Sequence, residues 1–221
     1  MECDKASQCF QQLFPSEREF INDKKIQLTY YQSENLFKQG AFSPYVMYIV
    51  EGLVRLFLQT GPNKYVNIAL ATTGEFLAFS SLFGEDVYYY SAAAIKDSRI
   101  CMIDKLGLKQ LLKKNSEFAM QITAKNCRYE SHLLGLIRNI SYKQMHGKLA
   151  SALLYLSNDK FIEKNVFRYL TRQDIAAFAC ISTESTSKFL KEFEKEGIIE
   201  LNGRDIRVLD RRKLEEIDRK G

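Results

Sequence analysis

The sequence predicts an α+β fold in two parts, a β-sandwich or barrel followed by a helical half that closes in a short hairpin. Three observations predict it. Short β-branched and aromatic runs recur between glycines through the first hundred residues, the apolar period changes to a helical one from Ile103, and all three prolines (Pro15, Pro44, Pro62) fall in the first part. At 221 residues the chain suits two modest domains. With 46% hydrophobic and 27% charged residues it is too apolar for a disordered chain and too mixed for a membrane one. Its longest clean apolar stretch, Tyr45 to Val50, is too short to span a bilayer, so no membrane partner is expected. MECDKASQCF carries no apolar leader core, and five cysteines without a paired framework suit a reducing cytoplasm. The formal charge of +5 permits nucleic-acid binding without requiring it.

In the β half, residues 1–115, glycines at 40, 52, 61, 74 and 84 separate the runs YVMYIV, LVRLFL, YVNIALA and VYYYSAAAI. Gly61-Pro62-Asn63 supplies the backbone angles of a hairpin connection. Leu106, Leu108, Leu111 and Leu112 predict a short helix ended by Lys113-Lys114-Asn115, after which Ser116 is the expected N-cap of a longer one over 116–141. Along that helix Phe118, Ile122, Asn126, Tyr129, Leu133, Leu136 and Ile140 recur at steps of three and four, the period of a coiled coil. The stripe reads either as core against the β half or as a dimer seam. A second stripe, Met120, Cys127, Leu134 and Ile137, favours two partners for one helix, and so a second copy of the chain.

The last part, 142–221, carries the most specific pattern. Leu149 to Leu156 continues in helical period, and 157–168 reads as a polar and aromatic connection. Thr171-Arg172-Gln173-Asp174 matches a capping box opening a short helix with Ile175, Ala176 and Ala179 inward. Cys180-Ile181 makes the turn, and Ser182 caps a second helix whose inner face is Phe189, Leu190 and Phe193 and which stops at Gly197. Two alternating runs joined by Asn202-Gly203 then predict a hairpin. Two helices across a tight turn, followed by a hairpin, make a winged helix-turn-helix, whose second helix fits a major groove. Thr183, Glu184, Ser187 and Lys188 are the candidate base-reading residues, with Arg172, Arg204 and the amides near Ser182 available to phosphates.

The stretch LTRQDIAAFACISTESTSKFLKEFEKEGIIELNGRDIRV closely resembles the C-terminal signature of the CRP/FNR superfamily of bacterial transcription regulators. LFKQG, IVEGLVRLF and Gly74-Glu75 resemble the same family's cyclic-nucleotide-binding-type β-roll, so the likeness covers nearly the whole chain. It implies an antiparallel β-roll that senses an effector, a long dimerisation helix and a DNA-binding domain on double-stranded DNA. Glu184, Ser187 and Lys188 fall on the base-reading Glu, Ser and Arg of the FNR branch, implying an inverted repeat of TTGA-like half-sites. Lys188 departs from the pattern, since an ammonium lacks the two-pronged fork of arginine. His146, Arg172, Ser182, Ser185 and Arg204 fall where the family contacts phosphate. The connection 157–168 resembles the loop that touches RNA polymerase in activators.

The resemblance places the effector pocket at Gly74, Glu75, Tyr90, Ser91, Leu133 and Leu134. The family's phosphate-binding Arg-Ser pair reads Tyr90-Ser91 here, and the central-helix Thr-Ser that touches adenine reads Leu133-Leu134. Loss of the cation argues against cyclic AMP, because a buried phosphate would go unneutralised. FNR-type sensors hold an iron-sulfur cluster with four cysteines. Cys3, Cys9 and Cys101 match three of those positions, the leading one has no counterpart, and the ligand set is incomplete, with Asp4 as a substitute and Cys127 assigned to helix core. Enzymatic readings are set aside: residues 1–131 hold no histidine for a cupin-like metal barrel, and no phosphate loop or nucleophile motif is present. The alternative to DNA binding is a ligand-sensing module whose helical domain binds a protein partner.

Overall fold

A computed structural model of the chain describes residues 8–62 and 64–221, with the side chains of Gln8 and Cys9 also outside the described part. The chain divides into two compact units, one of Met1–Lys64 with Ala69–Ser131, the other of Tyr65–Ile68 with His132–Gly221.

In the first unit, helices α1 (Gln8–Gln11) and α2 (Pro15–Asp23) precede the strands. Pro15 opens α2 with its preset φ, and Glu17 Oε2 accepts from the Phe14 amide at 2.9 Å. The strands are β1 (Lys25–Tyr30), β2 (Asn35–Phe37), β3 (Tyr45–Gly61), β4 (Lys64–Thr72), β5 (Phe76–Leu77) and β6 (Ser91–Asp104). They run β1-β6-β3-β4, with β2 also on β6 and β5 on β3. Every register resolved in this sheet is antiparallel.

YVMYIV and LVRLFL, expected as separate strands, form the single strand β3. Gly52 is a bulge and not a turn: it takes φ +128°, and the pairing with β6 shifts register between Ile49 and Val54. A Cβ at Gly52 would run into the side chain of Ser98, whose Oγ accepts from the Leu53 amide at 3.2 Å. Gly52→Ala combines positive φ with that collision, and is expected to lower unfolding stability by at least about 1–3 kcal/mol, read from the denaturant midpoint.

Alternate residues of β3 (Val46, Tyr48, Val50) face a core shared with Cys101 and Ile103 of β6 and with the helices. Phe10 meets Tyr48 edge-to-face at 5.0 Å. Helix α3 (Lys105–Lys114), capped by Asp104 accepting from the Gly107 amide, adds Leu108 and Leu111. Helix α4 (Ser116–Tyr142) adds Phe118 and Ile122. Its cap is Asn115 and not Ser116: Asn115 Oδ1 accepts from the Phe118 amide at 2.9 Å while its Nδ2 donates to Glu17 Oε2 at 2.8 Å. A buried amide that satisfies two elements at once displaces the local serine cap.

The expected seam on α4 therefore needs correction. Phe118 and Ile122 are fully buried in their own unit's core and cannot meet a second chain. Asn126, Tyr129, Leu133, Leu136 and Ile140 are half-buried. The second stripe is the open one: Met120, Leu134 and Ile137 are 66%, 61% and 59% exposed, and Cys127, expected in helix core, is exposed as well.

The second unit continues from His132 through the end of α4. It adds α5 (Met145–Leu156), α6 (Asp159–Ile162), a 3-10 turn (Val166–Tyr169), α7 (Arg172–Ala179), α8 (Thr183–Lys195), β7 (Ile199–Asn202), β8 (Asp205–Val208) and α9 (Arg211–Lys220). Two short helical pieces thus occupy the stretch expected as plain connection. They bury Phe161, Val166 and Phe167, and Phe161 meets Tyr155 of α5 with ring centroids 5.2 Å apart. On α9 Leu214 is fully buried, and Asp218 pairs with Lys143 at 2.5 Å and takes the Ser151 hydroxyl.

Candidate nucleic-acid interface

The interface is assembled by local rules. Thr171 Oγ1 accepts from the Asp174 amide at 3.1 Å, and Asp174 Oδ2 accepts from the Thr171 amide at 2.9 Å, the reciprocal box expected at the start of α7. Cys180 turns the chain with φ +53°, and Ile181 leads to Ser182. Ser182 Oγ accepts from the Ser185 amide at 3.0 Å and caps α8. Phe189, Leu190 and Phe193 are buried, as is Thr186, whose hydroxyl donates to the Ser182 carbonyl. The inner face of α8 is fully used, so its other face is presented to solvent.

On that outer face lie the four residues expected to read bases. Glu184 and Lys188 are exposed; Thr183 and Ser187 are half-exposed. Glu184 forms no ion pair or side-chain hydrogen bond among the described residues, so its carboxylate is available as an acceptor. Ser187 Oγ donates its proton to the Thr183 carbonyl at 2.9 Å, which leaves its lone pairs for a donor such as a base amino group. Lys188 Nζ lies 3.9 Å from Glu192 Oε1, a loose exposed contact. Glu192, which the sequence reading did not single out, also meets His146 Nε2 at 3.0 Å, and the His146 ring sits 3.9 Å from that of Phe189. The (i, i+4) spacing of Lys188 and Glu192 was the signal that could have found it.

The wing pairs Ile199 with Val208, Glu200 with Arg207, Leu201 with Ile206 and Asn202 with Asp205. Its two-residue loop is Gly203-Arg204 and not Asn202-Gly203. Asn202 is the last paired residue, and Gly203 alone takes positive φ (+60°), the position glycine holds in a II′-type turn. Arg204 stands exposed at the tip. Arg172 is more committed than expected: its Nη2 donates to the Gly203 carbonyl at 2.9 Å and ties the start of α7 to the wing. Its Nη1 is buried without a hydrogen-bond partner among the described residues, and burial lowers its pKa. Ser182→Ala removes the cap of α8. It is expected to cost about 1 kcal/mol and to speed amide exchange in the first turn of α8.

The expected effector residues are less open. Glu75 Oε2 accepts from the Thr72 amide at 2.8 Å, and the Gly74 carbonyl accepts from Lys125 Nζ at 2.8 Å. Ser91 is buried and accepts from the Gln39 amide at 2.9 Å. Tyr90 Oη accepts from the Ala78 amide at 2.7 Å, and burial pushes its pKa up to about 12, so the side chain stays a neutral phenol, a group with no cationic form to offer a phosphate. Leu133 and Leu134 belong to the other unit. Of the expected cluster ligands, Cys3 and the Cys9 side chain lie outside the described residues. Cys101 is fully buried among apolar side chains. Among the described residues no three His, Cys, Asp or Glu side chains are grouped to hold a metal ion.

Comparison with known proteins adds two family matches. Residues 27–115 match the cyclic nucleotide-binding domain and residues 147–217 the Crp-like helix-turn-helix domain. The chain is 26% identical over 216 residues to the cyclic AMP receptor protein of Thermus thermophilus, covering 96% of this chain and 97% of that one. It is 25% identical over 186 residues to the transcriptional activator protein FnrA of Stutzerimonas stutzeri, covering 81% and 75%. Among solved structures, a putative transcriptional regulator of the crp/fnr family from Eubacterium rectale superposes with a TM-score of 0.77 at 19% identity. That match covers 97% of this chain and 99% of the other.

Proposed function

This chain belongs to the CRP/FNR superfamily of DNA-binding transcription regulators, and from that premise we propose that it works as an allosterically controlled homodimer whose two α8 helices read an inverted-repeat operator. The observation that carries the proposal is the outer face of α8, where Glu184, Ser187 and Lys188 stand clear of a fully buried inner face. A carboxylate accepts from the cytosine amino group, a hydroxyl adapts to either base of a pair, and an ammonium donates to guanine O6 and N7. That chemistry is compatible with TTGA-like half-sites. Arg204 on the wing, with Ser182 and Ser185 at the start of α8, would hold phosphates.

Two half-sites require two chains. The stripe Met120, Cys127, Leu134 repeats every seven residues and remains exposed, with Ile137 beside it, so it replaces the buried Phe118 and Ile122 as the proposed seam. For the signal, Tyr90 in place of a phosphate-binding cation argues for an effector other than cyclic AMP. Anisotropy titrations of the full chain with an inverted-repeat duplex and with random duplex, at several salt concentrations, test the reading. Operator preference that persists as salt rises is expected, whereas equal affinity for both duplexes at every salt would overturn it.

A further inference from the structure

Within the second unit lies a cavity of about 190 Å³, lined in part by Leu136 and Ile140 of the expected seam, whose polar groups no expected site used. Its walls come from the end of α4 (His132, Asn139), from α5 (Lys148, Tyr155) and from α7 (Phe178). The lining is mostly apolar, with a few polar groups set into it, the general form of a small-molecule site. His132 and Tyr155 stack with ring centroids 4.8 Å apart, and His132 Nε2 is held 2.9 Å from the Ile68 carbonyl of the same unit. Asn139 Oδ1 is buried there without a hydrogen-bond partner among the described residues. An unpaired interior acceptor is costly, and it calls for a donor. The Lys148 ammonium forms no ion pair or side-chain hydrogen bond among the described residues. Burial raises the pKa of the neighbouring Cys180 thiol, and the Lys148 charge opposes that shift, so this cation lies near the turn that leads into α8.

We propose that this cavity is a binding site for a small aromatic carboxylate carrying a hydroxyl group, with Lys148 taking the carboxylate, Asn139 accepting from the hydroxyl and the ring lying among His132, Tyr155 and Phe178. An apolar cavity of about 150 Å³ holds benzene, so the present one admits a single ring with two small substituents. A neutral aromatic leaves Lys148 unpaired, and an aliphatic acid forgoes the aromatic wall. Phe178 lies in the last turn of α7, which Ala179 closes before the turn into α8, so an occupant fixes that turn against the end of α4. On the regulator reading above, on which this part rests, occupancy biases the pose of α8 and hence operator affinity.

The test uses the full-length chain with 4-hydroxybenzoate as probe, followed by calorimetry, and with benzyl alcohol as the neutral control. About ten non-hydrogen atoms support a dissociation constant near millimolar or tighter. One saturable site per chain is expected. Lys148→Met and Asn139→Leu are each expected to weaken it by about tenfold or more. Asn139→Leu is also expected to leave the thermal midpoint unchanged or raised, since the carbonyl it removes has no partner to lose. Absence of saturable binding, binding equal for benzyl alcohol, or binding unchanged in both variants would overturn the site. Operator affinity, measured with and without probe, separates the two readings. A chain that prefers operator duplex yet ignores the probe sinks the site alone. One that binds the probe without preferring operator sinks the regulator reading and, with it, the proposed regulation.

Discussion

The double variant Glu184→Ala/Lys188→Ala is expected to lose its preference for operator over random duplex while unfolding at the same denaturant midpoint as the parent. Each good base contact discriminates by about 1–3 kcal/mol, so losing two costs about 2–6 kcal/mol, roughly one and a half to four decades of specific affinity. The fold is spared because both side chains are exposed, and the Lys188–Glu192 contact at 3.9 Å contributes little. Lys188→Arg sharpens the test. A guanidinium presents a two-pronged donor to guanine, so affinity is expected to hold or rise if Lys188 reads that base. Arg204→Ala should behave differently, weakening operator and random duplexes alike and reducing the salt slope by about one. Anisotropy at several salt concentrations reads all three variants.

The second large effect concerns the long helix, where two substitutions on the same helix, one at an exposed position and one at a buried position, should fail in opposite ways. Leu134→Glu puts a carboxylate on an exposed apolar position, so the single chain keeps its stability. In a twofold seam it sets like charges against each other, at a cost of several kcal/mol. Sedimentation is expected to show a monomer, and affinity for the full inverted repeat should fall to that of one half-site. Phe118→Ala empties a fully buried position beside Phe10, and is expected to cost about 3–5 kcal/mol of unfolding stability. Where it still folds, its dimer remains. A reversed outcome, with Leu134→Glu dimeric and Phe118→Ala monomeric, would return the seam to the first stripe.

The helix-turn-helix was legible in sequence at nearly single-residue precision. Thr171 and Ser182 each appear as caps, and Asp174 completes the expected box. Such bonds join residues three apart, so composition within one helical turn decides them. The wing was legible as a hairpin but misplaced by one residue, since Asn-Gly and Gly-Arg both accommodate a tight loop and only the pairing of Asn202 with Asp205 chooses. At Gly52 the sequence suggests a break between strands, but the partner strand runs on past it and the glycine becomes a bulge.

Sequence alone therefore determined the elements whose signals are local: the capped helices α7 and α8, the turn between them, the wing hairpin to within one residue and the outward set Thr183, Glu184, Ser187 and Lys188. Tertiary structure decided what depends on distant partners. Asn115 overrides Ser116 because Glu17 and Gln12 reach it. Arg172 is drawn from solvent because the Gly203 carbonyl stands within its reach. Two apolar stripes wind along α4 with nearly the same period, and periodicity cannot rank them. Burial of Phe118 and Ile122 against Phe10, Tyr48 and Leu111 removes the first stripe and leaves Met120, Cys127 and Leu134 facing water. The physical reason is that a helical period records which faces are apolar, whereas the choice among them belongs to whatever packs there.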